Sequence, residues 1–414
     1  MGARTGQRLW SSSACSYAAR VSSRVCYDPF DPEVIADPYP SYRMLREQAP
    51  CHHVAHREIY VLSRYQDVRA ALANTEVFSS TEGVGYERRP VPMMIAYDPP
   101  EHTRLRRIVA GRFTPKAIAA WQQRIDEVVS ALLDPLIGSG PVDLVEALCA
   151  PFPVQVIAEM MDIPIERRAD FKRWSDKTVE ALGGAVDLKP DERMAVELSI
   201  MQFAMYFAEV VAARRPRAAE AEDLISLLIR PNEDGEKLSD AEVVSFCVLL
   251  LVAGNETTTN LIGNTAYHLM RHSDQWRKVV ADPTLDRSLI EESLRYDAPI
   301  QGFFRNTLRE TEIAGTRLPA GAKVMLLYGS ANRDPEKYPD PDSYRIDRNP
   351  SDHLAFGFGP HVCLGAHLAR LEARSLLRHA LAKVGRMRLE AEPTRTQNPL
   401  LRGMQSLRVS IEGR

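Results

Sequence analysis

Ser239-Asp-Ala-Glu242 is a capping box, in which the serine and the glutamate each satisfy the other's backbone N–H, and it opens an apolar run that continues to about His272. Helical throughout, such a run spans roughly 33 residues and about 50 Å. A helix of that length with so apolar a middle crosses the interior, and the rest of the chain has to be built around it. Its middle breaks the rules for a buried helix: Ala253-Gly-Asn-Glu256-Thr257-Thr258 puts a glycine, an asparagine, an acid and two threonines where better helix formers would serve. Such a violation points to a kink or widened turn kept for function, and a helix with a merely polar stripe is the alternative.

Around this helix the pattern is helix-rich with a minor sheet. Pro38-Tyr-Pro-Ser-Tyr-Arg-Met-Leu opens a helix, and Ile59–Ser63 alternates as a strand. Residues 79–97, with Gly83, Gly85, Pro90 and Pro92, form a long loop, the kind that often serves as a lid. Pro283 and Pro299 bracket a helix carrying Glu292-Ser-Leu-Arg295. A small hairpin from Ile313 precedes a buried strand at 323–328, the last helix covers 364–384, and the tail alternates weakly as strands. The net charge of −3 asks for no nucleic-acid partner.

Phe356-Gly-Phe-Gly-Pro-His-Val-Cys363-Leu-Gly365 is a glycine- and proline-tightened loop that ends just before a helix. Backbone N–H groups and the positive helix end favour a thiolate there, which lowers the expected pKa of Cys363 and suits a soft metal or haem iron. A plain buried cysteine is the bland reading. Zinc held by His353, His361, Cys363 and His367 is a further one, but the spacing fits no usual zinc pattern.

The longer segment His353-Leu-Ala-Phe-Gly-Phe-Gly-Pro-His361-Val-Cys363-Leu-Gly-Ala-His-Leu-Ala-Arg370-Leu-Glu372 closely resembles the cysteine loop of bacterial cytochromes P450. The resemblance implies the triangular-prism fold of that family, mainly α with a minor β region, in a single domain over residues 31–414. It implies haem b as cofactor, with Cys363 as iron ligand, Phe356 beside the sulfur, Gly357 and Gly365 in the cofactor loop, and His361 on a propionate. His102 and Arg106, at i,i+4 on a basic helix, and Arg305 complete a propionate cage. Glu256 and Thr257 match the family's acid–threonine proton relay, with Gly254 leaving room for oxygen and substrate. Glu292 and Arg295 match its structural pair, but Pro341-Asp-Ser343-Tyr344 has serine where an arginine often supplies the third partner, so Arg345 or Arg348 is expected to compensate. By position, Met93, Met94, Leu249, Ala253, Gly254, Phe303, Phe304 and Met404 line an apolar, adaptable pocket.

The implied reaction is monooxygenation of a small apolar organic substrate with O2 as co-substrate. NAD(P)H acts indirectly, through a separate ferredoxin and ferredoxin reductase. Arg104, Arg107, Arg112 and Lys116 offer a basic face to an acidic donor, or simply a solvated one. A peroxide-driven peroxygenase and a non-catalytic haem-thiolate protein are the rivals, and neither needs Glu256-Thr257. A monomer in the cytoplasm is expected: the six cysteines are scattered without a C-x-x-C pair, and no unbroken apolar run has the length of a membrane span. Residues 1–30 are expected to be a disordered extension. Their Ser- and Arg-rich composition up to Cys26, without an acid before Asp28, is shared with organelle transit peptides.

Overall fold

The computed structural model describes residues 25–183 and 189–414. Its principal helices are α1 (Tyr39–Gln48), α2 (Tyr65–Ala73), α3 (Glu101–Ala110), α4 (Gln122–Leu133), α5 (Pro151–Met160), α6 (Arg168–Gly183), α7 (Pro190–Arg214), α8 (Asp240–Arg271), α9 (Asp286–Tyr296) and α10 (Ala366–Lys383). The capping box forms as expected: the Glu242 N–H donates to Ser239 Oγ, and the Ser239 N–H donates 2.7 Å to the Glu242 carboxylate. α8 runs from there for 32 residues through the main core, where α5, α6, α7, α9 and α10 all pack against it.

A five-stranded sheet lies to one side. In spatial order its strands are β1 (Cys51–Val54), β2 (Ile59–Leu62), β5 (Lys323–Leu327), β4 (Gly302–Thr307) and β3 (Phe78–Ser79). Only the β2–β5 pair is parallel. The expected hairpin joins Thr311–Ile313 to Thr316–Leu318, and β5 is buried at every position. The strands of the tail form as well, among them Val384–Leu389 against Arg408–Gly413.

One expectation is corrected here. Residues 25–30 are not an extension: Tyr27 is buried beside Tyr42, and Asp28 pairs with Arg57. Residues 1–24 lie outside the described residues. Cys26 is disulfide-bonded, whereas Cys51, Cys149, Cys247 and Cys363 are free thiols. Two helices, Pro190–Arg217 and Asp240–Arg271, are long and apolar enough to cross a membrane by length and composition alone, a test that a core helix such as α8 also meets. Counting unbroken apolar runs passes over helices whose polar residues are merely sparse.

The Glu292–Arg295 pair on α9 is fully buried. Arg295 grips the Glu292 carboxylate with two bonds of 2.7 and 2.8 Å, and its remaining N–H groups reach the carbonyls of Asn332, Pro341 and Ser343. The open third position is thereby resolved. The backbone N–H of Arg345 donates 2.8 Å to Glu292, Arg348 Nε lies 3.4 Å from the same oxygen, and Ser343 contributes only its carbonyl. Because truncating one member of a buried pair strands the other charge, Arg295→Met should lower stability by about 3–5 kcal/mol. Denaturant unfolding checks this, and an unchanged midpoint would contradict the reading.

Candidate active site

The loop before α10 is shaped by two glycines in the left-handed region, Gly357 and Gly359, each at φ +71°. At Gly359 a Cβ would sit 2.9 Å from the Leu72 carbonyl oxygen, so α2 can press against the loop only at a glycine. The Cys363 N–H donates 2.8 Å to the Phe356 carbonyl and closes the turn. Phe356 is held from behind by Arg370, whose guanidinium lies 4.5 Å from the ring centre. Arg370 and His353 both bind the Glu291 carboxylate, at 2.6 and 3.1 Å. Burial pushes that carboxyl up, but Arg370 and His353 outweigh it and hold the group at about 2.

Cys363 is a free, exposed thiol, yet protein surrounds it deeply enough for burial to push its pKa up. The expected lowering of its pKa is therefore corrected: the Gly365 N–H, Arg106 and Arg370 all favour the thiolate, but desolvation outweighs them.

A second accessible stretch lies on α8. Leu251, Val252, Asn255 and Thr258 through Asn260 are buried, but Ala253 is exposed and Glu256 and Thr257 are half-buried. Thr257 Oγ1 donates 2.6 Å to the Ala253 carbonyl one turn earlier, so its hydroxyl is positioned by the helix itself. Burial and then Asp176 raise the Glu256 pKa, while Lys172 and Asn260 oppose them, so the acid is aimed at α6. At Gly254 a Cβ would come within 2.7 Å of Ile157 Cδ1, the far end of a flexible side chain on α5.

The third feature is a gathering of basic side chains. His102 and Arg106 come from α3, Arg305 from β4 and His361 from the cysteine loop. The two imidazoles stack at 4.1 Å between ring centres, and Arg106 Nη1 donates 2.5 Å to the Val362 carbonyl. Arg305 is buried and donates 2.8 Å to the Phe304 carbonyl. Among the described residues no carboxylate pairs with any of the four, and His102 Nδ1 is buried without a partner. Burial, Arg305, His102 and Arg106 together push His361 down to about 3. Such crowding is unfavourable by itself, and a bound dianion would relieve it. A tetrapyrrole carrying two carboxylates fits this cage, and its metal fits the adjacent thiol.

A family model described as cytochrome P450 matches residues 186–409. The beta-dihydromenaquinone-9 omega-hydroxylase of Mycobacterium tuberculosis is 36% identical over 94% of this chain and 79% of its own length. The cytochrome P450 CYP109Q5 of Chondromyces apiculatus is 38% identical, with a TM-score of 0.84 over 94% of this chain and 98% of that one. CYP109E1 of Bacillus megaterium, solved in complex with corticosterone, is 34% identical, with a TM-score of 0.82 over 91% and 99%.

The chain belongs to the cytochrome P450 family.

As a P450 it is a monooxygenase whose family uses haem and O2. Of the pocket residues expected from sequence, Leu249 and Ala253 share a face of α8 at i,i+4, and Met93 and Met94 sit half-buried in the long loop. Ser245 of α8 donates to the carbonyl of Pro92 and ties that loop down. Phe303 is half-buried on the same strand face as Arg305. Phe304 is corrected: strand alternation turns it away, fully buried against Tyr86 and beneath Lys323. Met404 is likewise buried within the main core and is not carried forward as a pocket residue. On the basic face expected from sequence, Arg104 pairs with Glu101 and Glu242, Arg107 pairs with Glu236, Arg112 bonds the Leu227 carbonyl, and Lys116 is exposed.

One residue went unassigned in the sequence. Glu372 is buried, its pKa raised to about 8 chiefly by desolvation, and in contact with Thr258, the residue after Thr257. The only sequence signal was an acid on the inward face of the last helix.

Arg305→Gln tests the cage with effects of opposite sign. Removing one of the two arginines from this crowded basic cluster should raise the melting temperature of haem-free protein, yet weaken haem retention by about tenfold or more. Equal haem retention in wild type and variant, measured as bound haem per chain after dilution, would contradict the assignment.

Proposed function

We propose that this P450 inserts one oxygen atom of O2 into a small apolar organic substrate, taking two electrons and two protons and releasing water. The single observation that carries the reading is the free thiol of Cys363, accessible inside the protein beside four basic groups that lack a counter-anion. Cys363 would bind the iron, with His102, Arg106, Arg305 and His361 on the propionates and Phe356, Gly357 and Gly365 forming the loop against the ring. Haem, once bound, supplies the iron that activates dioxygen, with electron donation from the thiolate.

The protein's own share is positioning and proton delivery. Thr257 presents a fixed hydroxyl, and Glu256, whose burial favours its protonated form, carries protons inward from the side facing Lys172 and Asp176. Met93, Met94, Leu249, Ala253 and Phe303 would hold the substrate. The names of the two relatives, one a dihydromenaquinone hydroxylase and one solved with corticosterone, favour an isoprenoid or steroid-like substrate. Electrons would come from NAD(P)H through a ferredoxin and its reductase in the cytoplasm, with a single domain, to which residues 25–30 also belong, carrying the reaction.

Thr257→Ala tests the mechanism. Haem and substrate binding should survive, while product per NAD(P)H falls severalfold and hydrogen peroxide rises, because the positioned proton donor is lost. Assays with a surrogate ferredoxin system, run against peroxide alone, read all three quantities. Unchanged product per reductant would remove Thr257 from the relay, and full turnover on peroxide alone would replace the monooxygenase reading with a peroxygenase one. Cys363→Ala should abolish the red-shifted absorption of the reduced CO complex, and its persistence would assign the iron to another ligand.

A further inference from the structure

Seven large apolar side chains stand exposed among the described residues, and four of them lie on α7: Met194 (69%), Leu198 (47%), Met201 (53%) and Met205 (57%). Their spacings of four, three and four residues make one stripe along the helix, and exposed Ala208 and Ala212 continue it at three and four. The opposite face carries Phe203, Phe207 and Val211, all buried, with Phe203 5.2 Å from Trp174 of α6. α7 is thus apolar on two faces, and the described residues cover only one.

We propose that the stripe is a self-association surface on which two copies of the enzyme pair through antiparallel α7 helices. The order of spacings reads the same in both directions. A two-fold axis between Ser199 and Ile200 therefore sets Met194 of one copy against Met205 of the other, and Leu198 against Met201. The four large side chains alone expose about 400 Å² per copy, so with the flanking alanines the contact approaches the roughly 1,000 Å² that a specific interface needs. The flanks, Glu197, Gln202 and Glu209, bear no cation, and Arg193 is held by Glu87. An anionic lipid surface or an acidic protein would meet like charge there.

Sedimentation of the haem-loaded full-length enzyme over a range of micromolar concentrations should give a dimer. Leu198→Glu and Met201→Glu should each weaken it at least tenfold while leaving the reduced CO spectrum intact. A short bismaleimide separates the antiparallel geometry from a parallel one. Along the helix axis two Leu198 positions lie about 4–5 Å apart, but two Met194 positions lie about 16 Å apart. Leu198→Cys should therefore cross-link where Met194→Cys and wild type do not. A wild-type enzyme that stays monomeric, equal cross-linking of both cysteine variants, or binding to anionic vesicles that Leu198→Glu abolishes would each overturn the proposal.

Discussion

Four basic side chains from α3, β4 and the cysteine loop are brought together with no carboxylate among the described residues paired to any of them, and much of the surrounding architecture serves to hold them there. The glycines at 357 and 359 fold the loop so that His361 reaches His102. The alternation of β4 puts Arg305 on the cage side of the strand and Phe304, also buried, on the other. The depressed pKa of His361 reflects how poorly the arrangement by itself tolerates another proton. In the haem-free protein the sign is definite. A histidine held at about 3 when folded and titrating near 6.5 when unfolded makes the unfolded chain the better proton binder between those values, so stability is lost as pH falls through that window. A dianionic ligand reverses the field acting on the same residue.

The surroundings of the thiol next to this cage disfavour its charged form. Desolvation outweighs the Gly365 N–H and two arginines and raises the thiol pKa, and a metal cation would supply the missing stabilisation of the thiolate. Charge at this site therefore comes in complementary halves: the cage needs an anion and the sulfur needs a cation. One ligand carrying both answers the two needs together.

Much of this was legible in the sequence because it rests on local rules. The capping box at Ser239, the proline-bracketed α9, the hairpin from Thr311 and the glycine-shaped cysteine loop each declare themselves within a few residues. What was not legible depended on what lies across space. The pKa of Cys363 depends on how much protein surrounds it, which no helix-end argument supplies. Ser343 contributes a backbone carbonyl in place of a side chain, and Arg104 and Arg107 meet acids more than a hundred residues away. The exposed stripe on α7 was missed for a related reason: its hydrophobic pattern runs around the helix, and only packing reveals which face stays bare.

The claim that the fold holds an unbalanced cationic cage for a dianionic cofactor is tested most directly by removing charge from the ligand alone. Haem-free protein should be titrated with haem and with its propionate dimethyl ester, and the two affinities compared by Soret absorbance. The cage predicts that the diester, with the same ring and iron, binds at least tenfold more weakly, and that Arg305→Gln narrows the gap. Equal affinity for haem and diester in the wild-type protein would contradict it.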